Sequence, residues 1–340
     1  MMKRFLCMLL ATAFVFSGCA FAETYQKFQH YFFGTFDTII TLIGYTQTAD
    51  EFRSFADLTE TEMRRYHMIF DMYYPYDGVA NLYHVNQNAA AGPVKADPVL
   101  IDLLLQIRNW HEQYGNLTNP AMGSVLGLWH DAREGGVSLP DHDALLEAGK
   151  HTDFSKVIID EQAGTICFED PMIRLDLGAV AKGYAAQLTA NAIREAGLDS
   201  FILNAGGNVI CGDAPLDGRS HWTVGIEDVD GVTSRHLIGL TNLSIVTSGD
   251  YHRYYEVDGE RYHHLIDPAT LYPAKHMRAV SIIHPESGLS DFLSTTAFVL
   301  PYEQSRALVE SIPGAEAVWL LADGSEYWTD GFQTLMDAVK

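Results

Sequence analysis

The sequence contains few basic residues. Lysine and arginine together number 22, against 44 aspartates and glutamates, and the formal net charge at pH 7 is −22. This balance disfavours nucleic acid and anionic membrane surfaces as partners, because an acidic chain repels them. An anionic substrate would need local relief from a lysine or a metal ion.

Cysteines and long hydrophobic runs are also scarce. Of the four cysteines, only Cys167 and Cys211 lie beyond the N-terminal segment, and their spacing matches no metal-binding motif. We expect two buried thiols, and a disulfide between them is left open. The apolar run from Phe5 to Phe16 has 12 residues, whereas a membrane-spanning helix needs about 20.

The first 22 residues are typical of a bacterial export signal. Lys3 and Arg4 precede the apolar run, and small residues follow it. Two cleavage sites compete: Ser17-Gly18-Cys19 resembles a lipobox, which would lipidate Cys19, whereas Ala20-Phe21-Ala22 suits ordinary signal peptidase. We favour the lipoprotein. Cleavage at either site predicts a protein outside the cytoplasm, in the periplasm or on the outer face of the cell membrane. Residues 23–340 are predicted to form a single domain.

Strand patterns outnumber helix patterns in the mature chain and do not alternate regularly with them. No internal repeat, low-complexity tract or long linker divides the chain. We therefore predict an α+β fold rather than a doubly wound one. The predicted strands are 31–43, 157–159, 165–168, 201–203, 222–226, 236–240 and 277–283, with a hairpin turn at Asp258-Gly259. The predicted helices are 59–70 behind a Thr59-x-x-Glu62 capping box, 98–114, one ending near Gly197, 290–300 and, last in the chain, 302–312.

The segment from Arg174 to Gln187 carries the first candidate site. It begins as a short apolar strand, turns through Gly178 and Gly183, and opens a helix. Asp176 and Lys182 flank the turn, and a helix start offers backbone N–H groups and a positive dipole end to an anion. An ordinary helix start with a surface ion pair explains the same residues equally well.

Two further loops could bind a ligand. The predicted strand at 201–203 runs into Asn204, Gly206 and Gly207, and paired glycines permit positive φ and close backbone approach. An ordinary bulge is the alternative, and the pattern is not a dinucleotide-binding G-x-G-x-x-G. Tyrosines cluster in a second loop, where they could pack in the core or stack on a flat ring; they are Tyr73, Tyr74 and Tyr76.

Asp291 and Thr295 are four residues apart and therefore share one helical face. A carboxylate and a hydroxyl are hard oxygen ligands that suit Mg²⁺, although a capping Asp and a back-bonding Thr would look the same. His263, His264 and Asp267 suggest zinc, but adjacent histidines on a strand point to opposite faces, which disfavours zinc. With no G-x-S-x-G and no paired glycosidase-like carboxylates, these features favour a nucleotide diphosphate held with Mg²⁺.

Five motifs in the same order resemble those of the ApbE family, the periplasmic FAD:protein FMN transferases. They span nearly the whole mature chain, and five together are highly specific. They are D-L-G-A-V-A-K-G-Y at 176–184, L-N-A-G-G-N at 203–208, T-S-G-D-Y at 247–251, H-L-I-D-P at 264–268 and D-F-L-S-T at 291–295.

The resemblance implies an ApbE-like fold related to the T-fold, with mixed, mostly antiparallel sheets packed with helices. It also implies a site that binds FAD and Mg²⁺. It implies that Mg²⁺ is held by the Ala179 carbonyl oxygen, Asp291 and Thr295. Among the three tyrosines we choose Tyr76 as the flavin contact, and Phe33 replaces the usual Met. Thr118-Asn119 stands where Phe-Asp is usual, and Leu271 where Gly is usual. The full set of implied FAD contacts is Phe33, Tyr76, Leu117, Thr118, Asn119, Asp176, Lys182, Asn204, Gly206, Gly207, His264, Leu265 and Ile266.

The reaction implied by the resemblance is Mg²⁺-dependent transfer of FMN from FAD to a threonine hydroxyl of a target flavoprotein, with release of AMP. The acceptor would be a subunit of a respiratory redox complex. His264 is the candidate base because an unperturbed imidazole has a pKa of about 6.5, and Asp267 is its orienter or the alternative base. The alternatives are an FAD pyrophosphatase and a non-catalytic flavin-binding lipoprotein.

Overall fold

The structure is a computed structural model that describes residues 24–136 and 138–340. The predicted export signal at 1–22, and Cys19 with it, lies outside the described residues. Within those residues, no helix combines the length and the apolar character that crossing a membrane requires.

The described strands and helices follow one another irregularly along the chain. The strands are β1 Gln26–Thr35, β2 Thr38–Thr46, β3 Val94–Lys95, β4 Val157–Asp160, β5 Thr165–Phe168, β6 Phe201–Ala205, β7 Asn208–Cys211, β8 Trp222–Glu227, β9 Ser234–Leu240, β10 Ser244–Gly249, β11 Tyr254–Val257, β12 Glu260–His263, β13 Met277–His284, β14 Glu316–Leu321 and β15 Glu326–Trp328. The helices are α1 Ala49–Phe70, α2 Leu82–Asn88, α3 Pro98–Tyr114, α4 Gly123–Gly135, α5 His142–Gly149, α6 Ala181–Glu195, α7 Ser287–Val299, α8 Tyr302–Glu310 and α9 Asp330–Asp337.

The largest sheet has eight strands in the order β1-β2-β6-β7-β10-β13-β14-β15. Every neighbouring pair in it is antiparallel. This confirms the predicted α+β fold with mostly antiparallel sheets.

Alternate residues of the strands enter two different cores, as the two-residue period of a strand requires. Leu42 and Leu203 join the large core that contains α1, α6 and α7. Ile43 and Ile202 point the other way, toward a smaller core that includes Trp222 of β8 and Phe332 of α9. The sheet is thus covered by helices on one face and by the β8–β9 hairpin and α9 on the other.

The predicted strand at 31–43 is wrong, because the chain reverses inside it. Phe36 and Asp37 both have φ of 52°, and Thr35 pairs with Thr38 across this two-residue turn. Two successive positive φ values match the twist of a tight hairpin. Neither residue is Gly or Asn, so the usual signal for such a turn is missing.

The predicted start of the first helix is also wrong. Helix α1 begins at Ala49, where the side chain of Thr48 accepts a hydrogen bond from the Glu51 N–H at 3.2 Å. Thr48 and Glu51 have the same three-residue spacing as the motif that we placed at Thr59. Thr59 lies inside the helix, where its hydroxyl donates to the Phe55 carbonyl at 2.7 Å.

Three other predictions need correction. Helix α4, Gly123–Gly135, is missing from our predicted helices. The chain does not end in the helix at 302–312, since β14, β15 and α9 follow it. Around Arg174 there is an isolated bridge to Met122 rather than a strand.

Both cysteines beyond the N-terminal segment are free. Cys211 is buried as predicted, and burial raises the pKa of its thiol to about 12. Cys167 is only half-buried, so the prediction of two buried thiols holds for one of them.

Candidate active site

The start of α6 lies against the middle of α7. The Gly183 N–H donates to Oδ2 of Asp291 at 2.7 Å. A Cβ at position 183 would lie 2.5 Å from the Ser287 carbonyl oxygen and 2.6 Å from the Asp291 Cβ. Only glycine therefore lets these two helices approach closely enough for this hydrogen bond.

This contact corrects the expected anion site at the helix start. The N–H of Gly183 binds the protein's own carboxylate, and the N–H of Ala181 donates to the Leu177 carbonyl at 2.8 Å. These two donors are used within the chain. We expect an anion at this helix start to depend on the Lys182 ammonium or on a metal ion rather than on these two donors.

Asp291 is a buried carboxylate with 4% of its surface exposed. Burial raises the pKa of its carboxyl, while the Lys182 charge and the Gly183 hydrogen bond act in the opposite direction. Glu286 is at the N-cap position of α7, without a capping side-chain hydrogen bond, and Asp291 lies inside the helix, so Asp291 does not cap it. The structural alternative for this aspartate is therefore wrong.

Thr295 is the exception in a helix whose other residues are all buried. It is half-buried, and its hydroxyl lies 3.4 Å from the hydroxyl of Ser248 at the end of β10. Ser248 also lies 2.8 Å from the Ser294 hydroxyl. The one partly exposed residue of α7 is thus Thr295, the predicted metal ligand.

Asn208 is a site residue that our sequence analysis missed. Its side-chain nitrogen is buried and makes no hydrogen bond of standard geometry within the described residues. It is nevertheless close enough to Asp291 to lower the pKa of that carboxyl. Asn208 ends the L-N-A-G-G-N motif, so the motif itself was the available signal.

The three residues predicted from that motif form a turn instead of facing Asp291. Gly206 and Gly207 have φ of 59° and 91° and connect β6 to β7. Asn204 accepts the Gly207 N–H at 3.0 Å. A Cβ on Gly206 would collide with Thr38, so this turn packs against the β1–β2 turn.

Ala179 shares a small cavity with several predicted FAD contacts. Thr118, Asn119, Asp176 and Ala179 all line it. The side chains of two of them are already occupied: the Thr118 hydroxyl donates to the Phe292 carbonyl at 2.9 Å, and the Asn119 amide donates to the Thr152 carbonyl at 2.8 Å.

Leu117 packs partly buried against the large core. Leu265 and Ile266 are buried as well. Leu265 belongs to the large core, and Ile266 belongs to a separate cluster around Trp129. The side chains of these three predicted FAD contacts therefore serve packing.

Asp176 is surrounded by groups that the sequence did not connect with it. Its Oδ1 accepts the Gly178 N–H at 2.7 Å. Burial raises the pKa of Asp176, and the charges of His130 and Arg253 lower it. The carboxylate thus lies near His130 and Arg253, which belong to two other segments of the chain.

Tyr73, rather than Tyr76, lies beside Asp176. Its ring centroid is 5.4 Å from that of His130, and its pKa is raised to about 12 by desolvation first and by the Asp176 charge second. Tyr76 instead donates its hydroxyl to Asp71 at 2.8 Å. The structure therefore does not support our choice of Tyr76.

His264 is held by the backbone of Arg253. The His264 N–H donates to the Arg253 carbonyl at 3.1 Å, and Nδ1 lies 3.3 Å from the same oxygen. Because a carbonyl only accepts, this contact puts a proton on Nδ1 and leaves Nε2 as an acceptor. Burial and the nearby cations lower the pKa of His264 to about 3.

Asp267 does not orient His264. Its Oδ1 accepts the Ala269 N–H at 2.8 Å, and its Oδ2 accepts the Thr270 hydroxyl at 3.3 Å. The carboxylate thus organises its own turn. Our expectation that it orients the histidine is wrong.

The zinc alternative finds no support in the described residues. His263 turns away from His264, donating Nε2–H to the Ala274 carbonyl at 2.8 Å. No three His, Cys, Asp or Glu side chains within residues 24–136 and 138–340 form a metal-binding group. The predicted Mg²⁺ ligands include only one such side chain, Asp291, so this finding does not bear on them.

The donor set fits Mg²⁺ by its chemistry. A carboxylate, a hydroxyl and a main-chain carbonyl are all hard oxygen ligands, which Mg²⁺ prefers. Asp291 brings a negative charge that is buried beside Lys182, and buried charges in proteins are paired or coordinate metals.

Fold and site together define an α+β protein with a buried carboxylate and a lysine where two helices meet. Residues 36–319 match the family model of the ApbE family. The chain therefore belongs to the ApbE family, which confirms the resemblance seen in its five motifs.

Named relatives and solved structures agree with this membership. The FAD:protein FMN transferase of Treponema pallidum (strain Nichols) is 36% identical over 256 residues, covering 70% of either chain. That of Klebsiella pneumoniae (strain 342) is 29% identical over 240 residues, covering 69% of this chain and 73% of the relative. The crystal structure of the ApbE protein from Thermotoga maritima MSB8 matches with a TM-score of 0.82 and 26% identity, covering 92% of this chain and 99% of that chain. The chain is accordingly an enzyme, a transferase.

Proposed function

We propose that this enzyme transfers FMN from FAD to a threonine hydroxyl of an acceptor flavoprotein and releases AMP, with Mg²⁺ as the metal ion. The observation that carries the proposal is the pairing of the buried Asp291 with the start of α6 beside Lys182. The names of the relatives support FAD as the FMN donor and a protein as the acceptor.

Asp291, Thr295 and the Ala179 carbonyl oxygen would hold the Mg²⁺. When bound, the ion offsets the charge of the pyrophosphate and acts as a Lewis acid on it. Lys182 adds a second positive charge close to Asp291. A site of this kind compensates locally for the net charge of −22, which would otherwise repel an anionic substrate.

His264 is the proposed general base. The acceptor oxygen attacks the FMN-side phosphorus, the bond from that phosphorus to the AMP oxygen breaks, and the hydroxyl proton passes to Nε2 of His264. A ring with a pKa of about 3 is neutral at pH 7 but is a weak base. A bound diphosphate raises the pKa of the ring, because a nearby negative charge favours imidazolium.

Tyr73 is our proposed stacking partner for a flat ring of FAD. It is 54% exposed, its ring lies 5.4 Å from that of His130, and the charge of Asp176 contributes to its raised pKa. Phe33 is a second exposed ring, at the end of β1. Asp176 and Lys182 remain proposed FAD contacts.

We also propose that the enzyme works outside the cytoplasm as one domain, residues 23–340. The sequence pattern of residues 1–22, which is typical of an export signal, and the lipobox-like Ser17-Gly18-Cys19 support this location. A subunit of a respiratory redox complex is the proposed kind of acceptor.

The deciding experiment incubates the mature protein with FAD, Mg²⁺ and exported redox proteins in their flavin-free form. We expect a fluorescent band in a denaturing gel, a matching mass increase on one threonine of the acceptor, and stoichiometric AMP. Free FMN without a labelled band would identify an FAD pyrophosphatase. No AMP at all would identify a flavin-binding protein without catalytic activity.

A further inference from the structure

Among residues 24–136 and 138–340, no strand lies along the outer edge of β1. β1 is the first strand of the eight-stranded sheet, and within the described residues it pairs with β2 alone. An antiparallel strand at an edge directs alternate N–H and C=O groups away from its neighbour. The Phe33 carbonyl is one exception, since it accepts from Arg64 at 3.2 Å.

Natural proteins usually block such an edge with prolines, repeated charges or a very short strand. β1 has ten residues, contains no proline, and carries a single charged lysine, Lys27. The opposite edge of the same sheet, β15, has only three residues. The long edge is thus the one left open.

The face of this hairpin that points away from the helices is apolar. Tyr31, Phe33 and Ile39 are 59%, 58% and 50% exposed. The rings of Tyr31 and Phe33 meet edge to face, with centroids 5.9 Å apart, while Phe32 and Ile40 between them are buried. We call Tyr31, Phe33, Ile39 and the outer edge of β1 the β1 surface. Grouped exposed apolar residues of this kind mark interaction sites.

The β1 surface also differs in charge from the rest of the chain. Asp37 is the only acidic residue between Gln26 and Thr46, in a protein with 44 acidic residues. Lys27 is the one lysine or arginine of this hairpin. His30 lies 3.5 Å from Glu60 of α1, whose charge is also paired with Arg64 at 2.6 Å. A neutral or acidic segment can therefore approach this surface without the repulsion that it would meet elsewhere.

The β1 surface leads to the candidate active site. The register of β1 shifts between Phe32 and Thr35, and the strand ends there. The turn that follows, Phe36–Asp37, is next to Thr38, which packs against Gly206 two residues before Asn208 of the site. The charge of Asp37 also contributes to the raised pKa of Tyr73. Bulges of this type often lie beside active sites, where they redirect the chain.

We propose that the β1 surface docks an extended, neutral or acidic segment of the acceptor protein, which adds to the sheet as a further strand and leads its hydroxyl to the site. Strand addition of this kind uses main-chain hydrogen bonds for affinity and alternate side-chain contacts for specificity. The inference rests on the proposed function, since it names how the acceptor of that reaction is bound.

The test compares two double variants of the mature protein. One is Tyr31→Ser with Ile39→Ser, which leaves the proposed FAD contact Phe33 in place. The control is Leu146→Ser with Leu237→Ser, which removes two leucines that are 49% and 52% exposed on other elements. The acceptor is the redox protein that the wild-type enzyme labels.

We expect the Tyr31/Ile39 variant to raise KM for the acceptor about tenfold or more, because exposed anchors at interfaces often contribute that much. FAD affinity and the melting temperature should match those of the control. In hydrogen–deuterium exchange, backbone amides within residues 27–33 should become protected when the acceptor is added.

Three outcomes overturn the proposal, and they can be told apart. If both double variants label the acceptor as the wild type does, docking occurs elsewhere. If sedimentation shows a dimer that the Tyr31/Ile39 variant dissolves, the β1 surface joins two copies of this chain. If the wild type labels no protein at all, the proposed function fails first, and the docking proposal fails with it.

Discussion

The backbone N–H of Gly183 and Oδ2 of Asp291 are 2.7 Å apart, and no side chain fits at position 183 between the two helices. The contact joins two motifs that are more than a hundred residues apart in the chain. It brings the start of α6, with Lys182, next to the proposed metal ligand of α7. Both the stability of the helix pair and the chemistry of the site depend on it.

Replacing Gly183 with Ala should destabilise the protein. The added methyl would meet the Ser287 carbonyl and the Asp291 Cβ well inside contact distance, and overpacking of this kind costs about 1–3 kcal/mol. Urea unfolding should show the loss. The matched control is Gly127→Ala in α4, where a Cβ meets nothing within 4 Å; because alanine favours a helix over glycine, this variant should be at least as stable as the wild type.

Replacing Asp291 with Asn should abolish Mg²⁺-dependent AMP release. The amide keeps the size of the side chain but loses the negative charge that a divalent ion needs. Calorimetric titration with Mg²⁺ should show the same loss in the absence of FAD. Asp258→Asn is the control, because Asp258 lies at an exposed hairpin turn with φ of 53°. Asparagine adopts this left-handed conformation as readily as aspartate does. Normal AMP release by Asp291→Asn would remove this residue from the metal site.

The fold class could be predicted because the sequence pattern of strands and turns agrees with the positions that these residues take in the structure. Leu203 and Ile202 alternate between two cores, and the Asp258-Gly259 turn joins β11 to β12. The β1–β2 turn could not be found in this way, because Phe36 and Asp37 take positive φ without the residues that normally signal it. At Phe36 and Asp37, the pairing of β1 with β2 imposes the turn.

Within the site, the motifs predicted which residues lie near one another better than they predicted what each side chain does. Asp291 and Thr295 lie where their spacing indicated, but Asp267 bonds to its own turn and Thr118 bonds to α7. Leu271, which stands where Gly is usual, adopts φ of 63° and packs against Gly149. Such contacts join distant segments, and periodicity within a single segment contains no information about them.

Tyr73 and Tyr76 should respond differently to substitution. Tyr73→Ala should weaken FAD binding about tenfold, since stacking of a base on an aromatic ring contributes about 1–3 kcal/mol. Tyr76→Phe should leave FAD affinity unchanged and lower the free energy of unfolding by about 1 kcal/mol, because it removes the hydrogen bond to Asp71. Quenching of flavin fluorescence measures the first effect and urea unfolding the second. The reverse pattern would restore Tyr76 as the flavin contact.

The pKa of His264 predicts how stability depends on pH. Burial lowers this pKa from 6.5 to about 3 in the folded protein. Between these two values the unfolded chain binds the proton and the folded protein does not. Acidification across this range therefore destabilises the folded state.

His264→Gln removes the titrating ring, so the difference in free energy of unfolding between wild type and variant should shift in favour of the variant as the pH falls from 7 to 4. Effects of other acidic groups cancel in that difference. His276→Gln, at an exposed histidine in a different segment, is the matched control. Urea unfolding of all three proteins at pH 7, 5.5 and 4 makes the measurement, and a pH-independent difference for His264→Gln would mean that the ring titrates alike in the folded and unfolded chains.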